Sequence, residues 1–441
     1  MAAQTQGDLM RCRELGLTFG LVACGGPSKA LDSGEPPLVD PELLPYIWPM
    51  AARPDQPSDP TNRWAGDEAA AWFGRYLYFE PRLSSTGTIS CATCHDPARG
   101  TGDGLALSEA IGTTTRHAPA LWNLAHQRWL YWDGRCDSLW CQATGPIEAE
   151  QEMGLDRVRL VRILSTHEDL RGAYSELFGP LPDISDPTRF PEAARPVESD
   201  PEHPHHLAWL TMNPADQDAV TEVLVTVAKA IAAYEQTLQT SDTRVDRFVR
   251  ALDTGKRSVA EAALTEEERL GLELFAGEGE CVFCHSGWTF SNKEFHNVGL
   301  PEVEGVDGLD TGRYDGIDRL RNHPFRSGSV WSDDPTGEAA SRLERIAQTF
   351  EQLGQFKTPG LREIASHPPY MHGGHFASLT EVVAFYAEPG LYNGPGHREE
   401  LLVARGWSTE EQAAMVAFLE ALSATDPPSP DLLEAPVTPL P

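Results

Sequence analysis

Two short segments of the sequence each place two cysteines and a histidine in a Cys-x-x-Cys-His pattern. The residues are Cys91, Cys94 and His95 in the first segment, and Cys281, Cys284 and His285 in the second. Two thiols at this spacing can add to the two vinyl groups of a haem, and the adjacent imidazole can bind its iron. A zinc site built from both cysteine pairs is the alternative, but it leaves the histidines without a role. The pattern therefore predicts two covalent haem c groups, with His95 and His285 as proximal iron ligands.

The segments that precede the two motifs are similar and indicate an internal repeat. The residues from Gly74 read Gly-Arg-Tyr-Leu-Tyr-Phe, and those from Gly271 read Gly-Leu-Glu-Leu-Phe. Each is expected to end a helix that leads into the loop carrying the cysteines. Apolar residues at helical spacing between Val220 and Tyr234 predict a helix over 219–239 that closes the first unit. The sequence thus predicts a mainly α fold with two cytochrome c-like domains, each holding one haem.

The residue composition along the chain predicts where the domains and their connecting segments begin and end. An N-terminal domain is predicted over 61–243, with a Pro-, Asp- and His-rich surface insertion at about 179–206, and a C-terminal domain over 244–425. Residues 303–336, rich in Gly and Asp, predict a loop. The Pro-rich tail over 426–441 is expected to be extended.

The N-terminal residues 1–24 are interpreted as a targeting segment. Leu21-Val-Ala-Cys24 is typical of a bacterial lipobox, which would make Cys24 a lipid anchor, and a Pro-rich tether is expected over 25–60. Haem c attachment also requires export, so the predicted location is the periplasm. The sequence contains no run of about 18 apolar residues, so no transmembrane helix is predicted.

The formal charge of -31 excludes nucleic acid and anionic membrane surfaces as natural partners, because both would be repelled. A basic partner protein suits this charge, although a well-solvated surface explains it equally well.

Around the motifs the chain resembles the bacterial di-haem cytochrome c peroxidase and MauG family. The resemblance rests on segments that recur in order between about Gly66 and about Ser423, and they start at Tyr78, Arg116, Tyr131, Gly145, Glu152, Phe356, Pro369 and Ser378. It implies that the haems lie near the domain interface, that one haem reacts with peroxide, and that the other relays electrons.

The resemblance also assigns roles around the first haem. It implies that Glu152 is the catalytic glutamate and that Gln142 and Pro146 lie on the distal side. Glu148 and Glu150 are rivals of Glu152 on composition alone. Trp132 matches a tryptophan between the haems, and Arg135 is a candidate partner for a haem propionate, although an exposed salt bridge is an equal alternative.

The sixth iron ligands are predicted to differ between the haems. The loop over 96–116 contains no His, Met, Cys or Lys, which predicts an open first iron. His117 follows this loop and is the alternative ligand. At the second iron the resemblance implies Tyr386, whose oxygen would favour ferric iron, whereas Met371 matches a non-ligand position.

Two features depart from the family pattern. The resemblance implies a calcium site made of an asparagine and two backbone carbonyls, which correspond here to His117 and to the carbonyls of His367 and Pro369. Because imidazole suits a hard cation poorly, calcium stays an open question. Cys136 and Cys141 are five residues apart, which is a poor spacing for a disulfide within a helix. Either an irregular turn or two free thiols is expected there.

The predicted function is a peroxide-using di-haem oxidoreductase. It either reduces hydrogen peroxide with electrons from a small redox protein, or oxidises a protein substrate by MauG-like high-valent iron chemistry. Tyr386 and Gln142 favour the second form. The alternative is a non-catalytic periplasmic electron-transfer di-haem cytochrome, which an open iron beside Glu152 disfavours.

Overall fold

The computed structural model describes residues 35–303, 305–426 and 428–441. The predicted targeting segment, with Cys24, and the first part of the predicted tether lie outside the described residues. Pro37–Pro441 forms one compact unit that is mainly helical with long loops, as predicted. Within the described part of the chain, no helix is both long and apolar enough to cross a membrane.

The helices are numbered in chain order. They are α1 (Leu44–Ile47), α2 (Glu68–Tyr78), α3 (Cys91–Cys94), α4 (Leu139–Glu148), α5 (Arg157–Thr166), α6 (Glu168–Phe178), α7 (Pro204–Thr211), α8 (Pro214–Glu235), α9 (Arg244–Asp253), α10 (Arg257–Ala263), α11 (Glu266–Ala276), α12 (Arg313–Asn322), α13 (Glu338–Leu343), α14 (Leu379–Ala387), α15 (Thr409–Glu420) and α16 (Pro430–Leu433). Two short antiparallel strands, β1 (Phe295–His296) and β2 (Phe356–Lys357), pair Phe295 with Lys357.

Two hydrophobic clusters form the interior of the compact unit. The first takes its buried residues from Phe73 to Leu238 and adds Phe325. The second is built mainly from Val245 to Leu422 and adds residues from the N-terminal segment. Both clusters lie in one compact unit, so the domain boundaries at 61–243 and 244–425 remain a prediction.

A glycine lies at the main helix crossing of each cluster. In the first cluster α2 packs on α8, and a Cβ added to Gly74 would lie 1.9 Å from the carbonyl oxygen of Ala230. In the second, α11 packs on α15, and a Cβ on Gly271 would lie 2.0 Å from the carbonyl oxygen of Ala414. Each glycine is the first residue of one of the two similar segments that precede the Cys-x-x-Cys-His motifs. The repeat therefore reflects the same packing of two helices in both clusters, because only glycine, which has no side chain, lets the helices approach this closely.

Three predicted segments are more ordered than their composition indicates. The predicted tether is wrong for residues 37–51, since they form α1 and two 3-10 turns and bury Ile47 and Met50 in the second cluster. The predicted surface insertion is wrong at Phe190 and Ala194, which are buried in the first cluster. The predicted loop over 303–336 contains α12. In each case a few apolar side chains outweigh the surrounding Pro, Gly and Asp.

The C-terminal tail also packs on the protein. The Trp72 indole N–H donates to the Thr438 carbonyl over 2.9 Å, and the Tyr234 hydroxyl donates to the Leu432 carbonyl over 2.6 Å. Leu433 contacts the first cluster. The tail is therefore held against the first cluster.

Replacing Gly271 by Ala is expected to lower the free energy of unfolding by about 1–3 kcal/mol, because α11 and α15 must separate to admit the methyl group. Denaturant unfolding of the haem-loaded protein, followed by circular dichroism, measures the change. The matched control is Gly172→Ala in α6, where an added Cβ meets nothing within 4 Å and stability should rise by about 0.5–1 kcal/mol. Equal stability of the two variants would contradict the close crossing.

Candidate active site

The first Cys-x-x-Cys-His motif is held on a short helix with its histidine just beyond. Cys91 and Cys94 lie in α3, and His95 follows with its amide bonded to the Cys91 carbonyl over 3.0 Å. The imidazole Nδ1 lies 3.2 Å from the Thr101 carbonyl oxygen, so Nδ1 carries the proton and Nε2 keeps a lone pair. Burial lowers the pKa of His95 to about 4, which keeps the ring neutral. A neutral, oriented imidazole is the form that binds iron.

The second motif repeats this arrangement. Cys281 and Cys284 lie in and just after a 3-10 turn, and His285 follows. Its Nδ1 lies 2.9 Å from the Phe290 carbonyl oxygen, and burial lowers its pKa to about 4. None of the four motif cysteines is in a disulfide, so all four sulfurs are available for bonds to haem. The repeat therefore extends from helix packing to the orientation of the two candidate iron ligands.

A cavity of about 250 Å³ adjoins the second motif. Its lining includes Cys281, Cys284, His285, Trp132, Lys357, Met371 and Tyr386. Lys357 is buried and, among the described residues, its side chain has no hydrogen bond or ion pair; burial lowers its pKa to about 8. A buried cation requires a counter-charge, and a haem propionate is one. The donor set and this unpaired lysine therefore fit a haem.

Tyr386 and Met371 line the same cavity as His285. Tyr386 is carried by α14. Burial, together with Cys281 and Cys284, raises the pKa of Tyr386, so its phenol stays neutral until a cation such as ferric iron acts on it.

Trp132 is fixed by hydrogen bonds on either side. Its indole N–H donates to the His117 carbonyl over 2.8 Å, and its own carbonyl accepts the amide of Lys357 over 2.8 Å. The loop that carries it is closed by a bridge between Leu130 and Cys136. These contacts hold the indole at the wall of the cavity with one orientation.

Arg135 already has a carboxylate partner. Its guanidinium lies 3.4 Å from the centre of the Tyr131 ring and 3.1 Å from Asp133. Asp133 also pairs with Arg116 over 2.8 Å, and Arg116 pairs with Asp310 over 2.7 Å. Two arginines and two carboxylates thus balance one another, and no contact of Arg135 with a haem propionate is needed to neutralise it.

The three candidate glutamates differ in their partners. Glu148 pairs with Arg157 over 2.9 Å, and Glu150 pairs with Arg195 over 2.9 Å. Within the described parts of the chain, the Glu152 carboxylate has no hydrogen bond or ion pair. It is half-buried, unlike the exposed Glu150. Of these three glutamates, only Glu152 therefore has carboxylate oxygens without a partner among the described residues.

Glu152 is also close to the first motif. Its charge acts on the thiols of both Cys91 and Cys94. Burial raises the pKa of Glu152, and Arg135 opposes this shift. Gln142 and Pro146 lie on the preceding helix α4, and the turn after it carries Glu152.

The candidate calcium residues do not fit a calcium ion. The His367 ring places Nδ1 3.2 Å from the Gly100 carbonyl oxygen and Nε2 3.0 Å from the Ala118 carbonyl oxygen. His117 is engaged with the Leu105 carbonyl over 2.9 Å, and its ring centre is 5.2 Å from that of His367. Where the family has an asparagine oxygen this chain has the His117 imidazole, which has no oxygen to offer, so the residue set lacks part of the oxygen shell that calcium needs.

Cys136 and Cys141 form a disulfide, with their Cα atoms 5.7 Å apart. The irregular-turn alternative is therefore confirmed, because Ser138 caps α4 and leaves Cys136 outside the helix. His323 packs against both sulfur atoms. The sequence did not indicate the contact of His323 with these cysteines, because His323 is far along the chain and no motif surrounds it.

Comparisons with known proteins show the family to which the chain belongs. The family described as Di-haem cytochrome c peroxidase matches residues 68–254. The cytochrome-c peroxidase IdrP2 of Denitromonas iodatirespirans is 30% identical over 370 residues, covering 81% of this chain and 83% of the relative. The chain therefore belongs to the di-haem cytochrome c peroxidase family, whose members are peroxidase-type oxidoreductases.

Other relatives fall on the MauG side of that family. The methylamine utilization protein MauG of Methylorubrum extorquens is 30% identical over 353 residues, covering 80% of this chain and 77% of the relative. The diheme peroxidase BthA from Burkholderia thailandensis shares the fold at 21% identity with a TM-score of 0.58, covering 87% of this chain and 92% of that one.

Replacing Tyr386 by Phe is expected to alter the absorption and electron paramagnetic resonance spectra of one ferric haem, because an oxygen ligand is lost. Met371→Leu is the matched control, since Met371 lines the same cavity. Spectra that change only in the Met371 variant would remove Tyr386 as the ligand.

Incubation with the calcium chelator EGTA is expected to leave the haem spectra and the peroxide reaction unchanged, because His117 offers an imidazole where the family site has an amide oxygen. Absorption spectra before and after chelation, and after adding back Ca²⁺, measure this. A loss that Ca²⁺ reverses would contradict the conclusion that no calcium ion fits.

Proposed function

We propose that the chain is a di-haem oxidoreductase that uses hydrogen peroxide as oxidant, with cytochrome c-like domains over 61–243 and 244–425. One haem c is held by the first motif and the other by the second, through Cys91, Cys94, His95, Cys281, Cys284 and His285. Each haem, when bound, supplies an iron that changes oxidation state and, with an open coordination position, reacts with peroxide.

The observation that carries this proposal is the uncommitted carboxylate of Glu152 beside the first motif. Cleavage of a peroxide O–O bond requires a base for the proton on the near oxygen and an acid for the far oxygen. Glu152 can perform both steps, because no arginine holds it as a permanent anion and burial raises its pKa. Gln142 and Pro146, on the preceding helix, are proposed to lie on the distal side of the first haem.

The surroundings of the first motif support an open iron. The loop over 96–116 offers no His, Met, Cys or Lys. His117, which follows the loop, holds the Leu105 carbonyl with Nδ1 and has no hydrogen bond to Nε2 among the described residues, so it remains the alternative ligand. A non-catalytic electron carrier needs neither an uncommitted glutamate nor an open iron. The carrier alternative is thus less well supported.

Trp132 is proposed to relay electrons or holes between the haems, and Tyr386 to be the sixth ligand of the second iron. The fixed indole supports the first role, because a relay must hold one geometry in every turnover. The shared cavity of Tyr386 and His285 supports the second.

Two electron sources are consistent with this site. Relatives named cytochrome-c peroxidase favour a small redox protein as donor, and relatives named MauG favour a protein substrate. The charge of -31 suits a basic partner in either case. We further propose a periplasmic location, with a lipid anchor at Cys24.

Replacing Glu152 by Gln is expected to slow the reaction with hydrogen peroxide by about 10²–10⁴-fold, because the proton carrier is lost. Stopped-flow absorption of the ferric protein mixed with peroxide measures the rate constant. The matched control is Glu150→Gln, which removes a carboxylate that is exposed and paired with Arg195. Equal rate constants in both variants would exclude Glu152 as the proton carrier.

The rate constant of the wild-type protein is expected to rise with pH. The pKa of Glu152 is raised by burial, so the basic carboxylate is present above that pKa and is lost as the pH falls through it. A pH series of the same stopped-flow measurement tests this, with the inflection expected above the usual glutamate range and absent from Glu152→Gln. A rate constant independent of pH would contradict the assignment.

A further inference from the structure

Arg313 is a buried residue that holds the loop carrying Trp132. It is the first residue of α12 and is only 4% exposed. Its Nη1 donates to the carbonyl oxygen of Asp133 over 3.1 Å and to that of Gly134 over 2.7 Å. Gly316 in α12 is so close to the loop that an added Cβ would lie 2.2 Å from the Asp133 carbonyl oxygen. The first turn of α12 therefore packs directly against the two residues that follow Trp132.

The charge of Arg313 has no ion-pair partner among the residues that the structure describes. Its guanidinium lies between the rings of Phe295 and Trp129, 4.1 Å and 4.9 Å from their centres. Burial lowers the pKa of Arg313 to about 10, and the charges of Asp133 and Glu294 oppose this shift without forming an ion pair with it. Arg313 is therefore still charged at neutral pH, and its partners are ring faces and carbonyl dipoles.

The other cations near the loop are offset by anions. Arg116 and Arg135 are balanced by the carboxylates of Asp133 and Asp310. Lys357 faces the cavity beside the second motif, where a haem propionate would offset it. The guanidinium of α12 is thus left as a positive charge without an anion at its side.

The indole of Trp132 has no base to which it can lose its proton. Its N–H donates to the backbone carbonyl of His117 over 2.8 Å, and a carbonyl oxygen does not take up a proton at neutral pH. Removal of one electron from this indole therefore leaves a protonated cation radical. A second positive charge nearby disfavours that state, because like charges repel more strongly away from water.

We propose that Arg313 is a positioning residue for Trp132, which fixes the loop and whose charge raises the reduction potential of the oxidised indole. This inference rests on the relay role proposed for Trp132. The oxidised indole is then short-lived, because it takes an electron from the second haem before it accumulates. Without the charge of Arg313, the oxidising equivalent would stay on the indole.

The relay step transfers electrons only. An oxidised first haem takes one electron from the Trp132 indole, and the indole regains one electron from the second haem. The indole N–H keeps its hydrogen bond to the His117 carbonyl throughout, so no proton leaves the ring. Hydrogen peroxide, the oxidant of the proposed function, is the electron acceptor, and each peroxide takes up two electrons and two protons to become two waters.

Arg313→Met and Arg313→Lys separate the charge from the packing. Methionine fills the space between the two rings without a charge, whereas lysine keeps the charge without the planar guanidinium. The ferric, haem-loaded proteins are mixed with hydrogen peroxide, frozen rapidly and examined by electron paramagnetic resonance. We expect about 10-fold more protein radical in the Met variant than in the wild type, because one unit charge near the indole is removed. The Lys variant is expected to match the wild type.

The radical is identified by its proton and by its position. Transfer to D₂O is expected to remove a hyperfine splitting from the exchangeable N–H, as a protonated indole requires. Adding Trp132→Phe to the Arg313→Met variant is expected to abolish the signal.

Three results would overturn the proposal. They are a radical yield in Arg313→Met no greater than in the wild type, an equal rise in Arg313→Lys, and a radical that survives the addition of Trp132→Phe. Should the Met variant fail to fold, Arg313→Gln replaces it, since glutamine also lacks the charge.

Failure of the proposed function is distinguishable from failure of this inference. If the wild type does not react with hydrogen peroxide, the proposed function is wrong. The indole is then oxidised in the same haem-loaded proteins with a flash-quenched ruthenium photosensitiser. The inference requires a longer-lived radical in Arg313→Met than in the wild type and Arg313→Lys, and equal lifetimes would overturn it.

Discussion

The close contact between a glycine and a backbone carbonyl at each helix crossing is the constraint on which the other features depend. At Gly74 and Gly271 the helices approach so closely that no side chain fits between them. Each crossing fixes the direction in which α2 or α11 ends, and therefore where the following loop delivers its cysteines. Carbonyls of Thr101 and Phe290 then orient the two histidines in the same way. Equal scaffolds thus support two sites whose remaining surroundings differ.

The difference between the two sites comes from charge and from uncommitted polar groups. Near the first motif, Glu148 and Glu150 form ion pairs with arginines, whereas Glu152 is half-buried and has no ion pair among the described residues. Near the second, Lys357 is a buried cation and Tyr386 a buried phenol, both facing an apolar cavity. Arg116 and Arg135, beside the Trp132 loop, are neutralised by the carboxylates of Asp133 and Asp310. Under the proposed function, this arrangement separates proton transfer at the first site from electron transfer at the second.

The motifs and the repeat were predictable from sequence, because haem attachment and helix packing each demand fixed residue types at fixed spacing. The choice of Glu152 rested on family resemblance, and the structure adds the partners of its rivals. The order of residues 37–51 was not predictable from composition, since it depends on Ile47 and Met50 finding a core built from residues far along the chain. His323 was missed for the same reason, because long-range contacts leave no local pattern.

The chain ends bear on how the protein is made. Residues 37–51 complete the second cluster, and the tail after residue 428 covers the first. As synthesis proceeds from the N-terminus, the first motif is therefore available long before the residues that finish its own core. The two halves are completed together, so a truncated product exposes apolar surface and becomes a substrate for proteolysis.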